Sequence, residues 1–135
     1  MITLAQAQTI LSAGFAHARA QSAKPLAMVV LDAGGHPVAM GREDGATFFR
    51  ADIARAKAYG ALGMGADTAV LAERAKGNPT FFGGVVTTVN GDLVFSPGGV
   101  LVRANGVVVG AVGVSGDTGE MDAECASAGI AAAGF

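Results

Sequence analysis

Two histidines, one cysteine and a few local groupings of charge are what this chain offers to chemistry. His17 sits between Ala16 and Ala18, and His36 directly follows Gly34-Gly35. Two imidazoles with no acidic or thiol cluster beside them do not make a metal site, so no metal is expected, and each reads first as a partly exposed structural residue. Arg50, Asp52, Arg55 and Lys57 crowd one stretch, and a pocket over it would hold cations suited to a carboxylate; a solvated face is the alternative. Asp52 and Lys57, five positions apart, are not ideal helical ion-pair neighbours, so the cations stay available to a ligand. In Ser96-Pro97-Gly98-Gly99, proline fixes one φ angle and two glycines permit a sharp bend that leaves amides open to an anion. An ordinary hairpin loop explains it as well. The Ser96 to Val100 loop and the start of the Asp52 helix are therefore expected as opposite lips of the main pocket, with Arg103 a further cation nearby. Glu120, Asp122 and Glu124 are the densest carboxylates; compensation of a helix dipole accounts for at least two of them, and an acid–base pair is the alternative.

Other chemistries fail on pattern. No GxxxxGK precedes a Ser or Thr, and Gly110-Ala111-Val112-Gly113 lies inside an apolar strand rather than at a strand-to-helix turn. Gly113-Val114-Ser115-Gly116 is one residue short of a nucleophile elbow. Cys125 is alone, which argues against a disulfide, a zinc knuckle or a redox pair.

The elements that must position these residues follow from periodicity. Leu4, Ala7, Leu11, Phe15 and Ala18 form one helical stripe, with Thr3 and Gln6 as a capping box and an end near Ser22, before Pro25. Ala27–Asp32 reads as a buried strand, Gly34-Gly35 as a tight turn and His36–Arg42 as the return strand. In a second helix after Phe48-Phe49, Ile53, Ala54, Lys57, Ala58 and Ala61 follow helical spacing, and Gly60, Gly63 and Gly65 weaken its end. A short helix over Ala69–Ala75 stops at Gly77-Asn78-Pro79. Gly84–Val89, Leu93–Phe95 and Val100–Val114 read as strands, the last folded back at Asn105-Gly106. Asp117 or Thr118 caps a closing helix with Met121, Cys125, Ala128 and Ala132 inward. The fold class is α+β: one antiparallel sheet flanked by helices, in a single domain over residues 1–135. Val107–Val114 is apolar on both strand faces, so both need cover, and a homo-oligomer of at least a dimer is expected to supply part of it.

Composition narrows the function classes. Nine basic against eleven acidic side chains, with no basic run, exclude a nucleic-acid partner, and no apolar run is long enough for a membrane span. The first residues lack the basic start and continuous apolar stretch of a secretory signal, so a cytoplasmic location is the expectation.

Five ordered pieces then carry a resemblance: VVLDAGGHPVAMGR from Val29, Asp44-Gly45, DIARAKAYGA from Asp52, SPGGVLV from Ser96, and GAVGVSGDTGEMDAECASAG from Gly110. Together they cover nearly the whole chain, and in that order they resemble the GlcG/HbpS haem-binding family, which also contains the C-terminal domain of a PduO-type corrinoid adenosyltransferase. The stretch from Gly63 to Thr88 fits least well. The resemblance implies a profilin-like fold, assembly from dimers up to octamers, and a haem- or tetrapyrrole-binding accessory protein of a catabolic or redox-stress pathway. It makes haem the candidate cofactor, with His17 or His36 as axial ligand, Phe48, Phe49 and Met64 against the macrocycle, and Arg50 or Lys57 on the propionates. Two other readings stay open. One is a small enzyme acting on an organic acid or aldehyde, with Arg50 or Arg103 holding a carboxylate and Asp52 or Glu124 moving a proton. The other is an oligomeric scaffold for a neighbouring enzyme.

Overall fold

The computed structural model describes residues 1–135. Helix α1 (Leu4–Ala20) begins with the capping box that the sequence announces: Thr3 Oγ1 accepts from the Gln6 amide at 3.1 Å, and Gln6 Oε1 accepts from the Thr3 amide at 3.0 Å. Strands β1 (Ala27–Asp32) and β2 (Pro37–Arg42) form an antiparallel hairpin, and of the two turn glycines only Gly35 takes a positive φ, 84°. Helix α2 (Phe49–Met64) ends on Gly65 in the left-handed region. Helices α3 (Thr68–Gly77) and α4 (Pro79–Thr88) follow, then strands β3 (Gly99–Ala104) and β4 (Val107–Ser115), then α5 (Gly119–Ala132), capped by the Thr118 hydroxyl.

The four strands make one antiparallel sheet in the order β2-β1-β4-β3. Alternation along β1 divides the core into two. Met28 and Val30 face α1 and α5, where Ile10, Ala18, Cys125 and Ala126 are fully buried. Ala27, Val29 and Leu31 face α2, where Ala54, Ala58 and Ala61 are fully buried. Each large aliphatic side chain so enclosed contributes roughly 1.5 to 3 kcal/mol. The alanines of α2 and a glycine opposite them let the helix lie very close: a Cβ on Gly113 of β4 would overlap the Ala54 carbonyl.

The α+β class and the helix-flanked antiparallel sheet stand as read from the sequence. Three details do not. Gly84–Val89 is helix, not strand, and Leu93–Phe95 lies in no strand, so the chain has three helices between its two hairpins rather than a meander. Pro79 at the first helical turn supplies the pre-set φ that starts α4, and Thr88 Oγ1 donates back to the Gly84 carbonyl at 2.9 Å, absorbing a hydroxyl into helical geometry. Asn90 and Gly91, both at positive φ, then stop it. Second, the stripe of α1 is rotated: Ala7, Ile10, Gly14 and Ala18 are buried while Leu4 is exposed, and on α5 Ala132 is exposed. Third, both faces of β4 beyond Val109 are covered by the chain's own helices, so that strand does not require a second subunit.

Candidate functional site

Helix α2 carries Arg50, Asp52 and Lys57 of the expected ligand-holding residues, and it leaves Asp52 exposed but encloses Lys57. Lys57 points through the fold: its Nζ donates to Asp122 Oδ2 and to the Val114 carbonyl, both at 2.9 Å, and both ionic side chains are almost wholly buried. Asp122 Oδ1 also accepts from the Asp117 amide at 3.0 Å. Burial pushes the Asp122 carboxyl above its ordinary pKa, against the opposing pull of the Lys57 ammonium. This ammonium is therefore not a free cation for a propionate or other anion, because α2 lies so close to the sheet that position 57 is enclosed.

The Ser96–Val100 loop does meet α2, and the contact is too tight to be a cleft. A Cβ on Gly98 would lie 2.9 Å from Lys57 Nζ, and one on Gly99 would overlap the Lys57 backbone. The Gly99 amide donates to Thr68 Oγ1 at 2.8 Å, and the Leu101 amide donates to Asp67 Oδ1 at 2.8 Å. The two glycines thus seat β3 against α2 and α3, and the expected pair of pocket lips closes into packing. Arg50 Nη1 reaches Ser115 Oγ at 3.3 Å, Asp52 is exposed in the first turn of α2, and Arg103 is exposed beside a bulge in β3. Along β3, Arg103 stands about 13 Å beyond Gly99. Phe48 and Phe49, 70% and 64% exposed, pack on each other at the start of α2.

The histidines occupy two different settings. His17 on α1 holds Glu124 of α5 through Nε2, 2.6 Å from Oε2, at a half-buried helix junction. His36 stands at the start of β2 with its Nδ1 3.4 Å from Asp32 Oδ1. That Asp32 oxygen also accepts from the His36 amide at 3.0 Å and the Gly34 amide at 2.9 Å. These amides, His36 first, hold the Asp32 carboxyl below its usual pKa, so it is an anion at neutral pH. No hydrogen bond within the chain engages His36 Nε2, and the ring borders a cleft of about 440 Å³ whose walls include Ile2, Val38, Val108 and Val109.

A carboxylate behind one ring nitrogen, a free second nitrogen and an apolar cleft are what an axial imidazole needs. The sequence flagged His36 but not Asp32. The four-residue spacing in Asp-Ala-Gly-Gly-His, bent through a turn that returns residue 36 to residue 32, was the available signal. Sequence reasoning also missed the Glu124 partner of His17 and the Asp122 partner of Lys57, whose separations are set by tertiary packing alone. Cys125 is buried, and its thiol is pushed up to about 11 by that burial, which removes it as a nucleophile. No group of three or more potential metal ligands gathers anywhere in the chain, and no helix is long and apolar enough to cross a membrane.

Comparison with known proteins agrees with this architecture. A family model described as HbpS-like, haem degrading protein, matches residues 2–131. A Citrobacter freundii protein described as an uncharacterized 15.0 kDa protein in the dhaT-dhaS intergenic region is 36% identical over 98 residues, covering 73% of this chain and 68% of that protein. The crystal structure of Klebsiella pneumoniae protein ORFY superposes with a TM-score of 0.90 at 30% identity, over 98% of this chain and 90% of the other. A double mutant of Streptomyces reticuli HbpS superposes with a TM-score of 0.86 at 29% identity, over 100% of this chain and 88% of that one.

Proposed function

From the premise that the chain belongs to the HbpS-like family of haem degrading proteins, we propose that it is a haem-binding protein whose axial ligand is His36, seated in the cleft beside the β1–β2 turn. The observation that carries this reading is the His36–Asp32 arrangement at the rim of an apolar cleft. With Nδ1 lying 3.4 Å from the Asp32 carboxylate, the ring keeps Nε2 without a partner in the chain and open to iron. Ile2, Val38, Val108 and Val109 supply apolar surface in the cleft beside the ring, on which a macrocycle would rest. The chemistry contributed by bound haem is that of its iron, exchange of electrons and activation of oxygen or peroxide. The chain's part is to present the imidazole at the rim of an apolar cleft. His17 is the weaker ligand because Glu124 already engages its Nε2.

The same reading takes the protein as an accessory factor in a catabolic or redox-stress pathway and as a homo-oligomer. Exposed Met40, Phe48, Phe49 and Phe81 support the second point, since they leave large apolar groups for a partner surface to cover.

Hemin titration of the purified protein tests the proposal. A Soret shift that saturates at one equivalent per chain is expected, whereas absorbance that rises without saturation would overturn it.

A further inference from the structure

The largest cleft of the molecule, about 530 Å³, lies away from the His36 cleft, at the other end of β2. The length of that strand separates His36 from Arg42 by about 20 Å. Its frame is the segment Gly41-Arg42-Glu43-Asp44-Gly45, and two ring side chains rest on the glycines at either end. Phe15 of α1 lies against Gly41, where a Cβ would come within 3.0 Å of the ring, and Pro25 lies against Gly45 at 3.4 Å. In the same cleft Arg19 grips Glu43 through two bonds, Nε to Oε2 at 2.9 Å and Nη2 to Oε1 at 3.1 Å. Glu43 Oε1 also accepts from the Leu26 amide at 3.0 Å.

What remains free in this cleft is chiefly donors. Glu43 is answered by three N–H groups, while Arg19 keeps its Nη1 amine and Arg42, whose Nη1 donates to the Ala46 carbonyl, keeps Nη2 and Nε. Asp44 is the one carboxylate lining the cleft without an arginine partner, and it is exposed at the rim. Free guanidinium donors select an acceptor, and their planar fork suits a carboxylate. The flanking phenyl and pyrrolidine rings select a flat apolar body. We propose that this cleft binds a small planar monocarboxylate, its anionic end on Arg42 and its ring against the apolar surface of Phe15 and Pro25. The site is independent of the haem cleft.

The test uses the full chain labelled with ¹⁵N and titrated with benzoate, benzamide and cyclohexanecarboxylate as probes. Benzoate is expected to give saturable shifts centred on the Gly41–Gly45 amides, with benzamide at least tenfold weaker and cyclohexanecarboxylate severalfold weaker. Arg42→Gln should weaken benzoate at least tenfold. Should that variant lose its native spectrum, Phe15→Leu serves instead, and it should weaken benzoate while leaving cyclohexanecarboxylate unchanged. Absence of saturable shifts up to ~10 mM benzoate, a concentration that would detect even millimolar affinity, overturns the site. Equal affinity for benzamide overturns the anion, and equal affinity for cyclohexanecarboxylate overturns the planar body.

Discussion

Replacing Lys57 by methionine keeps the length and most of the volume of the side chain but strands the Asp122 carboxylate, which is 1% exposed and would retain only backbone donors such as the Asp117 amide. Removing one member of a buried, hydrogen-bonded ion pair costs about 3 to 5 kcal/mol, a large fraction of the roughly 5 to 15 kcal/mol that holds a domain of this size folded. The cost should depend on pH in a definite direction. Burial already raises the Asp122 carboxyl above its ordinary value, and deleting the ammonium removes the charge that opposes this shift. In Lys57→Met the folded state therefore holds a proton on Asp122 at a pH where the unfolded state has released it. Stability of the variant then increases as pH falls toward the unfolded carboxyl value, by up to about 1.4 kcal/mol per pH unit. Urea unfolding of wild type and variant at pH 7.5 and pH 5.5 measures both effects. The difference between them should be about 3 to 5 kcal/mol at the higher pH and smaller at the lower. A double variant, Lys57→Met with Asp122→Asn, should recover most of the loss because no charge is left unpaired. A penalty below about 1 kcal/mol, or one equal at both pH values, would refute the reasoning.

Three further outcomes follow from the packing. Gly113→Ala places a methyl group on the Ala54 carbonyl, so α2 must shift, and thermal unfolding should show a loss of about 2 kcal/mol or more. Cys125, buried and with its thiol pushed up to about 11, should resist Ellman's reagent at pH 8 in the native protein and react fully in denaturant; fast native labelling would contradict the burial. Light scattering at micromolar concentration should return at least twice the 13.3 kDa of one chain, and a mass near 13.3 kDa would refute the proposed oligomer.

Legibility in the sequence followed the range of the interaction. The Thr3–Gln6 capping box, the β1–β2 hairpin and the Asn105-Gly106 turn are local, and each lies where its residue types place it. Val85-Val86 misled because β-branched residues carry strand propensity, whereas Pro79 and the helix-stopping Asn90-Gly91 decide the outcome. Lys57 reads as a surface cation until its partner, 65 positions away, is placed beneath it by α5. Likewise, Gly98-Gly99 carries the same local signal whether it cradles a ligand or lets a helix approach, and only the position of α2 selects the second. The His36 cleft was half visible: the imidazole stood out, but its apolar walls come from β2, β4 and the residue preceding Thr3.

The central claim is that His36, beside the Asp32 carboxylate, ligates haem. The direct measurement is the absorption and electron paramagnetic resonance spectra of the hemin-loaded protein, for wild type, His36→Ala and His17→Ala prepared in parallel. The account predicts that His36→Ala loses the imidazole-ligated signature and weakens hemin binding at least tenfold, while His17→Ala matches wild type. An unchanged spectrum in His36→Ala, or loss of the signature in His17→Ala instead, would contradict it.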